Sequence, residues 1–571
     1  DVSENGTVFQ YENRRQKGAV YNVYAGEDIF SAYGAKIYSK GDLVKENLST
    51  DENGACILKN LHLGTYVVKE MQAPENFYNA GEEKTVTLSY AGQSVEVVFS
   101  DVTFTNDRQK ADVSVVKKDK DTENPLSGGV FAMYAGSDIT DADGIVVVKK
   151  GTLIEKATTG ADGKAAFNAD LPIGFSYVVK EEQAPQGYLR NSKDVYTFKF
   201  SYTSDSEPKV SFTHTFVNDR VKAKISLEKR DAETKQAVAQ GDATLEKAVY
   251  GLYARNDIVH PDGITGVIYK AGEQVATLTT DKNGQASVDG LYLGDYYVKE
   301  ISPSVGYLAD ETEHDLVCNY EGDLAAEVKR DCVSLEQVMK QPFQIIKAAN
   351  NGKTDADLLK GAGFTAYLES SLTKKADGSY DFASATPVVI GENGATEMFT
   401  DEKGYACSIA LPYGTYIVRE TTTPHNYTPV DDFTVCITEN NPNQPQTWRV
   451  LLDDEFEAKL KIIKQDDETK KPVLQKNTEF KIYDLDHKKY VEQFTTYPTT
   501  VKHKSYFTDE EGYLILPQNL KIGNYRIEEV NAPFGYTLNE NYYEVTVDSN
   551  TAYQMDGTSG DVIIEAVYEN H

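Results

Sequence analysis

One short pattern occurs five times along this chain of 571 residues: a tyrosine, three further residues and a glutamate, in a stretch that alternates like a β-strand. A proline follows soon after each copy, and a Gly-Tyr pair closes three of them. Because strand side chains alternate between two faces, the glutamate shares the tyrosine's face, which we expect to be buried. The copies recur at intervals of roughly 110–120 residues, which suits whole domains rather than solenoid units. The glutamates are Glu70, Glu181, Glu300, Glu420 and Glu529.

Between these copies the chain consists of short alternating segments separated by turns rich in Gly, Asn and Asp, without strong helical periodicity. This pattern predicts an all-β fold of five tandem antiparallel β-sandwiches with Greek-key-like connections. The links between them are short and polar, so we expect the domains to stack end to end as an elongated, stiff rod. The predicted domains span residues 1–110, 111–220, 221–340, 341–457 and 458–571.

The composition excludes several classes of function. With 89 acidic against 58 basic residues the formal charge is −31, which argues against nucleic acid and anionic membranes as partners. No apolar run reaches the roughly 18 residues of a membrane span. The start, Asp-Val-Ser-Glu, is not a signal peptide, so we expect a piece of a longer protein. No Cys-x-x-Cys, Gly-x-Ser-x-Gly or His-Glu-x-x-His motif occurs, so no metal, cofactor or external substrate chemistry is predicted.

Five cysteines give weak support for disulfides. Cys318 and Cys332 lie in strand-like runs that could face each other, and Cys407 and Cys436 could join two strands of the fourth domain. Cys56 is left over. Small buried apolar side chains explain both pairs equally well, so both interpretations stay open.

Two further positions repeat in step with the glutamate. Near the start of four domains an apolar strand carries a lysine, and near the domain ends a second strand closes on an amide or an acid. The lysines are Lys117, Lys229, Lys347 and Lys464, and the strand-end residues are Asn106, Asn218, Glu336, Asp453 and Asn570. The register is consistent, because 11 residues separate Asn106 from Lys117 and also Asn218 from Lys229.

Buried together, Lys, Asn and Glu predict a self-modification. A lysine in an apolar core loses its proton because burial disfavours charge, and the free amine is a nucleophile. A protonated glutamic acid in the same core can polarise the Asn carbonyl and relay protons. Attack on the Asn side chain with loss of ammonia leaves a Lys–Asn amide, formed once per molecule. The competing interpretation is a buried Lys–Glu ion pair beside a hydrogen-bonded Asn, although such pairs are costly.

Lys-x-Asp, Gly-x-Tyr-x-x-x-Glu with Ala-Pro-x-Gly-Tyr, and a terminal strand ending in Asn together resemble the B-type (CnaB, SpaA-like) repeat domains of Gram-positive collagen adhesins and pilins. The resemblance covers essentially the whole chain. It implies a prealbumin-like, inverse immunoglobulin-like β-sandwich with intramolecular isopeptide bonds. It also implies an extracellular protein of the bacterial cell surface, anchored to the cell wall through segments outside this chain.

Transferred residue by residue, the resemblance implies two complete sites, each with a Lys–Asn bond and a catalytic glutamate. The second domain has Lys117, Asn218 and Glu181, and the fifth has Lys464, Asn570 and Glu529. A three-part motif of this kind is specific when complete and weak for any single member.

The third and fourth domains depart from this motif at the residue that ends the last strand. In the third, Glu336 stands where Asn is expected and is one methylene too long, so we expect no bond to Lys229. In the fourth, Asp453 is a candidate to join Lys347 with loss of water, and Asp454 is the neighbouring alternative. Both domains keep their glutamates, Glu300 and Glu420.

The first domain keeps Glu70 and Asn106, but its usual Lys-bearing strand is missing from the sequence. The segment before Gly18 is the candidate to take the place of that strand. Lys17 is the nearest lysine and a weak match, so no bond is expected there.

The function favoured by these patterns is structural: a stalk or shaft segment of a surface adhesin or pilus, in which a cross-link between first and last strands carries tension. The alternative is a module that binds a host extracellular protein or glycan. Its candidate loops are the extra stretch 240–246 of the third domain and the insertion 370–384 of the fourth, which also has Trp448. Of the three functions considered, an enzyme that acts on an external substrate is the one that the sequence favours least. No Tyr-Pro-Lys-Asn motif for sortase linkage occurs, which favours a stalk over a polymerising pilin.

Overall fold

The computed structural model describes residues 2–571 and consists almost entirely of β-strands, with 3-10 helices at Glu369–Ser371 and Glu392–Gly394. The strands group into five units along the chain, which confirms the predicted all-β class. No helix of the described chain has the length and apolar character needed to cross a bilayer.

The strand bounds define domains 1 to 5 as used below. Domain 1 contains Val20–Ala25, Ile29–Phe30, Lys36–Tyr38, Leu43–Ser49, Gly64–Gln72 and Glu83–Leu88, preceded by Val2–Ser3 and Gly6–Thr7. Domain 2 contains Lys110–Asp119, Val130–Ala135, Ile139–Thr140, Val146–Val148, Leu153–Thr158, Lys164–Phe167, Ser176–Gln183, Val195–Lys199 and Lys209–Asn218. Domain 3 contains Lys222–Asp231, Val249–Ala254, Ile258–Val259, Val267–Tyr269, Gln274–Thr279, Gln285–Leu291, Gly294–Ser302, Glu313–Cys318 and Glu327–Glu336.

The last two domains have more short strands. Domain 4 contains Lys340–Gln341, Gln344–Asn350, Gly363–Leu368, Thr373–Lys374, Tyr380–Asp381, Glu397–Phe399, Tyr405–Cys407, Leu411–Pro412, Gly414–Thr422, Phe433–Ile437 and Arg449–Asp454. Domain 5 contains Glu457–Asp466, Glu479–Asp484, Lys489–Tyr490, Gln493–Thr495, Val501–His503, Tyr506–Phe507, Tyr513–Ile515, Leu520–Lys521, Gly523–Asn531, Tyr543–Val547, Gln554–Met555 and Val562–Asn570.

Domain 2 shows the arrangement that domains 2 to 5 share. A four-stranded antiparallel sheet includes Val130–Ala135 beside Ser176–Gln183. The other sheet has Lys110–Asp119 at its centre, between Lys164–Phe167 and Lys209–Asn218. We call Lys110–Asp119 the first strand, Lys209–Asn218 the last strand, Ser176–Gln183 the glutamate strand and Val130–Ala135 the aromatic strand, and use these names for their counterparts. Buried apolar side chains of both sheets form one core.

The first and last strands run parallel in domains 2 to 5, although the surrounding pairs are antiparallel. This pairing places the carboxyl ends of both strands at the same edge of the sheet. The glutamate strand alternates as predicted, with Tyr177, Val179 and Glu181 buried on one face. The lysine, the strand-end residue and the glutamate are therefore brought to one end of the core.

Neighbouring domains contact each other through the proline turn that follows the glutamate strand. Ala73 N donates to Asp205 Oδ2 of domain 2 over 3.2 Å, and Ala184 N donates to Asp323 Oδ2 of domain 3 over 2.9 Å. The stretch 240–246 of domain 3 also lies at a junction, because Asp242 N donates to Tyr413 O of domain 4 over 2.9 Å. A loop that the sequence offered as a binding site thus packs between domains.

Domain 1 differs, because its described residues form the four-stranded sheet and two short two-stranded pairs, Val2–Ser3 with Gly6–Thr7 and Ile29–Phe30 with Lys36–Tyr38, but no sheet around a first strand. Residues 8–17, the candidate replacement for its first strand, form no strand. This segment lies partly against domain 2, where Tyr11 OH donates to Asp170 O, and just before it Thr7 Oγ1 donates to Leu153 O. Without a central strand, the rest of the second sheet has nothing to pair with.

Candidate functional site

The three predicted residues of domain 2 meet at the carboxyl ends of the parallel strands. Lys117 Nζ lies 2.5 Å from Asn218 Oδ1 and 3.2 Å from Glu181 Oε1. Asn218 Nδ2 donates to both oxygens of Glu181, over 2.8 and 2.9 Å. All three side chains are buried. Burial lowers the pKa of Lys117 to about 8, so a useful fraction of the amine is neutral near physiological pH.

Domain 5 repeats this site with looser hydrogen bonding. Lys464 Nζ lies 3.1 Å from Glu529 Oε1, and Asn570 Nδ2 donates to Glu529 Oε2 over 2.8 Å. Burial lowers the pKa of Lys464. In the described chain, Lys464 Nζ and Asn570 Oδ1 are buried without a hydrogen-bond partner. Burying such groups is costly. An amide bond between the two side chains would remove the charge of the lysine, and Asn570 Oδ1 would remain as the carbonyl oxygen of that amide.

In domain 4 the acid facing the lysine is Asp453. Lys347 Nζ contacts Asp453 and lies 2.7 Å from Glu420 Oε2, with all three side chains fully buried. Burial, together with the nearby Glu420, raises the pKa of Asp453 to about 7. The alternative, Asp454, is exposed and accepts a hydrogen bond from Asn350 Nδ2 over 2.7 Å. Asp453, not Asp454, is therefore the acid that faces Lys347.

In domain 3 the lysine lies between two carboxylates. Lys229 Nζ contacts Glu336 and lies 3.4 Å from Glu300 Oε1, and all three side chains are buried. Glu336 Oε1 also accepts hydrogen bonds from Tyr250 OH and from Ser334 Oγ. Burial lowers the pKa of Lys229 to about 8, the value it gives Lys117 in domain 2, so the lysine itself does not distinguish the two domains. This geometry is a hydrogen-bonded ion pair.

Sequence reasoning did not single out the residue directly opposite the glutamate. The cross-strand partner is Phe131 in domain 2, Phe364 in domain 4 and Phe480 in domain 5. It is Tyr250 in domain 3 and Tyr21 in domain 1. Tyrosine therefore occupies this position in the two domains where no bond is expected. Its hydroxyl donates to an acid at the site in both, to Glu336 or to Glu70. The signal in the sequence is this Phe-to-Tyr exchange, visible once the aromatic strands are aligned.

The Gly-Tyr pair also acquires a structural role. Its tyrosine donates a hydrogen bond to the aspartate two residues after the lysine, over 2.6 Å from Tyr188 to Asp119 and 3.0 Å from Tyr307 to Asp231. A backbone N–H ten residues after the glutamate donates to its carboxylate, as from Asn191 N to Glu181 over 3.0 Å. Both contacts hold the loop that closes the end of the site.

Domain 1 brings together Glu70 and Asn106 but no lysine. Asn106 Nδ2 donates to Glu70 Oε2 over 2.8 Å. Burial raises the pKa of Glu70. Lys17 instead pairs with Glu52 on the surface. This surface position agrees with the expectation that Lys17 is a poor substitute for the missing lysine.

The cysteines are free thiols in the structure, including the two candidate pairs Cys318 and Cys332, and Cys407 and Cys436. Burial raises the pKa of Cys318 to about 11 and that of Cys332 to about 12, which suppresses the reactive thiolate.

One group of side chains at the junction of domains 2 and 3 has metal-ligating chemistry. Atoms of Asp119, His260 and Asp262 lie within 4.8 Å of one another and are buried. The carboxylates already accept protein hydrogen bonds, since Tyr188 OH donates to Asp119 and Asn124 Nδ2 donates to Asp262 over 2.9 Å. These groups therefore serve the contact between the domains.

Comparison with known proteins agrees with the architecture. The profile of the SpaA prealbumin-like fold domain matches five segments, residues 10–103, 111–215, 223–331, 342–449 and 458–560. A Collagen adhesin of Staphylococcus aureus is 29% identical over 201 residues, which make up 34% of this chain but only 15% of that protein. Among solved structures, the Bacillus anthracis TIE protein is 22% identical, with a TM-score of 0.30 over 78% of this chain and 69% of that one. BcpA, the major pilin subunit of Bacillus cereus, is 17% identical, with a TM-score of 0.19 over 61% and 99%.

Proposed function

The chain belongs to the SpaA prealbumin-like domain family, and on that premise we propose that it is a stalk or shaft segment of a Gram-positive surface adhesin or pilus, strengthened by isopeptide bonds that form without an enzyme. Lys117–Asn218 and Lys464–Asn570 are the Lys–Asn bonds, and Lys347–Asp453 is the Lys–Asp bond. The observation that carries the proposal is the burial of lysine, amide or acid, and glutamate together at the ends of two parallel strands.

The reaction in domain 2 follows from the contacts. The neutral amine of Lys117 attacks Asn218 Cγ, so that an Nζ–Cγ bond forms, the Cγ–Nδ2 bond breaks and ammonia leaves. Glu181 lies within reach of both nitrogens, 3.2 Å from Nζ and 2.8 Å from Nδ2. It can therefore take the proton that the amine loses and deliver it to the leaving nitrogen. In domain 4 the same step on neutral Asp453 releases water.

The mechanical benefit follows from which strands are joined. Pulling forces enter a domain at its first strand and leave at its last strand. A covalent bond between these neighbours carries the tension and prevents the strands from separating. The two loops that the sequence offered for host binding favour the structural role, because 240–246 packs at a junction and Ser370 of the other insertion donates to Asp242 there.

Intact-protein mass spectrometry tests the proposal. Domains 2 and 5 should each lose one ammonia, about 17 Da, and domain 4 one water, about 18 Da. Peptide mapping should recover each lysine linked to its partner strand. A mass equal to that of the unmodified sequence would show that no bond forms and that only buried ion pairs are present.

A further inference from the structure

Domain 1 is an incomplete sandwich whose inner sheet face is only partly covered. Its fully buried apolar cluster has four residues, Val23, Ala25, Ile29 and Tyr66, whereas the cluster of domain 2 has sixteen. Val68 on the glutamate strand is half-buried, but its counterpart Val179 is 0% exposed. Apolar area that domain 2 removes from water thus stays in contact with water in domain 1.

The two segments that should flank a central strand are present but unpaired. In domain 2, Lys164–Phe167 and Lys209–Asn218 both bond to the first strand between them. Aligned by the turn glycine in front of the first segment (Gly163 and Gly54) and by the Asn that ends the second (Asn218 and Asn106), the matching segments of domain 1 are 55–58 and 97–106, and neither forms a strand. Backbone groups along such edges need partners, and an inserted strand is the partner that the other domains use.

Two of the three reactive groups are nevertheless in position at the end of this opening. Asn106 Nδ2 donates to Glu70 Oε2 over 2.8 Å, as Asn218 does to Glu181. Phe104 packs on Tyr21 with ring centroids 4.8 Å apart, which matches the packing of the equivalent rings in domain 2. The group that the site lacks is a lysine on a central strand.

Residues 8–17, directly in front of domain 1, do not supply that strand. Gln16 O accepts a hydrogen bond from Thr50 Oγ1 over 2.9 Å, as Leu126 O does from Thr159 Oγ1 over 2.8 Å. Gln16 therefore takes the place of the linker that follows a first strand, not of the strand. Before it, Phe9 packs against the core of domain 2.

A second copy of this chain is also a poor source. Each of its Lys-bearing strands is already the central strand of its own sheet, with the lysine buried. Releasing one would expose the core of a complete domain. Since residues 2–571 offer no free strand of this type, a different polypeptide that has one is the occupant we favour.

We propose that domain 1 accepts an extended segment of another polypeptide as its central strand, and that a lysine of this segment becomes joined to Asn106. The segment has apolar residues at alternate positions and a lysine that reaches the Asn106–Glu70 pair, like Val113, Val115 and Lys117 in domain 2. The lysine amine attacks Asn106 Cγ, an N–Cγ bond forms, the Cγ–Nδ2 bond breaks and ammonia leaves, with Glu70 transferring the proton. The covalent step rests on the chemistry proposed above for domains 2 and 5.

The test uses the full chain and a synthetic peptide with the sequence of residues 110–119. We expect an adduct whose mass is the sum of protein and peptide minus about 17 Da, with the peptide lysine linked to Asn106. The matched control peptide carries Lys117→Ala and should bind without forming an adduct. In the protein, Asn106→Ala and Glu70→Gln should each abolish the adduct, while fluorescence anisotropy with a labelled peptide still detects binding.

The outcomes separate this proposal from the one on which it rests. Ammonia losses in domains 2 and 5 together with no adduct would overturn the covalent joining at Asn106 alone, and the absence of reversible peptide binding as well would overturn the strand-acceptor site. An adduct with the Lys117→Ala peptide would also overturn it, because another amine would then be reacting. The absence of ammonia loss in every domain would overturn the proposed cross-linking itself.

Discussion

Domains 2 and 3 have the same arrangement of strands but different side chains at one end of the core. In both, a buried lysine on the first strand faces a buried glutamate, and the first and last strands run parallel. They differ at the strand end, where Asn218 is replaced by Glu336, and opposite the glutamate, where Phe131 is replaced by Tyr250. The difference teaches that a buried lysine and a glutamate do not by themselves make a reactive site.

The physical reason lies in the group that the amine would attack. In domain 2 it is a neutral amide whose nitrogen is held by the glutamate. In domain 3 the hydroxyls of Tyr250 and Ser334 donate to Glu336, and these hydrogen bonds stabilise the ionised carboxylate. A carboxylate anion resists attack by an amine and attracts an ammonium ion, so we expect domain 3 to keep an ion pair at the position where we propose a bond in domain 2.

The largest expected effect is loss of the bond in domain 2. Glu181→Ala should restore one ammonia, about 17 Da, to the intact mass because the proton relay is removed. The bond joins residues 101 positions apart, so by analogy with a disulfide its loss should destabilise the domain by about 4–5 kcal/mol. Denaturant unfolding measures this cost. Gln183→Ala, exposed on the same strand, is the matched control and should change neither quantity.

Domain 3 should lose nearly as much stability when its ion pair is broken. Lys229→Met leaves Glu336 and Glu300 buried without their cation, which we expect to cost about 3–5 kcal/mol. Lys222→Met, at the exposed start of the same strand, should be nearly neutral. If a peptide map of the unaltered protein showed Lys229 linked to Glu336, the contrast between the two domains would be wrong.

Exchanging both differing residues should convert domain 3 into a cross-linking domain. The double variant Tyr250→Phe and Glu336→Asn reproduces the set found in domain 2, so one further ammonia, about 17 Da, should be lost. Tyr250→Phe alone should leave the number of ammonia molecules lost unchanged, because it provides no amide. A double variant that folds and keeps its ammonia would show that other features of domain 2 are required.

The rate of bond formation in domain 2 should depend on pH. Burial lowers the pKa of Lys117 to about 8, so the neutral amine becomes about tenfold more abundant for each pH unit gained below that value. Protein that has been kept denatured since its synthesis is allowed to fold for the first time at different pH values. Bond formation should therefore accelerate from pH 6 to pH 8 and then level off. Mass spectrometry of acid-quenched samples follows it. A rate independent of pH over this range would mean that amine deprotonation does not limit the reaction.

The smallest expected effect is at Asp453. Loss of water from a Lys–Asp pair and loss of ammonia from a Lys–Asn pair give the same amide. Asp453→Asn should therefore leave the final mass of the protein unchanged if the natural acid reacts with Lys347. If Asp453 does not react and the variant does, the variant should be lighter by about 18 Da.

Much of this organisation could be predicted from the sequence. The alternation of Tyr177, Val179 and Glu181 specified a strand with a buried glutamate, because strand periodicity is local. The constant spacing from Asn218 to Lys229 set the register of strand ends and lysines. Lys117, Asn218 and Glu181 could therefore be grouped before any contact between them was known.

Other features depended on contacts that no local pattern encodes. The parallel pairing of first and last strands joins segments about a hundred residues apart. The hydroxyl of Tyr250 acquires its role only because the fold places Glu336 within reach. The choice of Asp453 over Asp454 followed from which of two adjacent side chains points into the core.

The sequence by itself determined the repeated strands, their buried faces and the residue types available at each strand end, because these follow from short-range periodicity and spacing. Only the tertiary structure decided which of the five glutamates lies beside a lysine and an amide, beside a lysine and an acid, or beside an amide without a lysine. That decision depends on burial and on distances between separate strands, which set the protonation of the lysine and the reactivity of its partner.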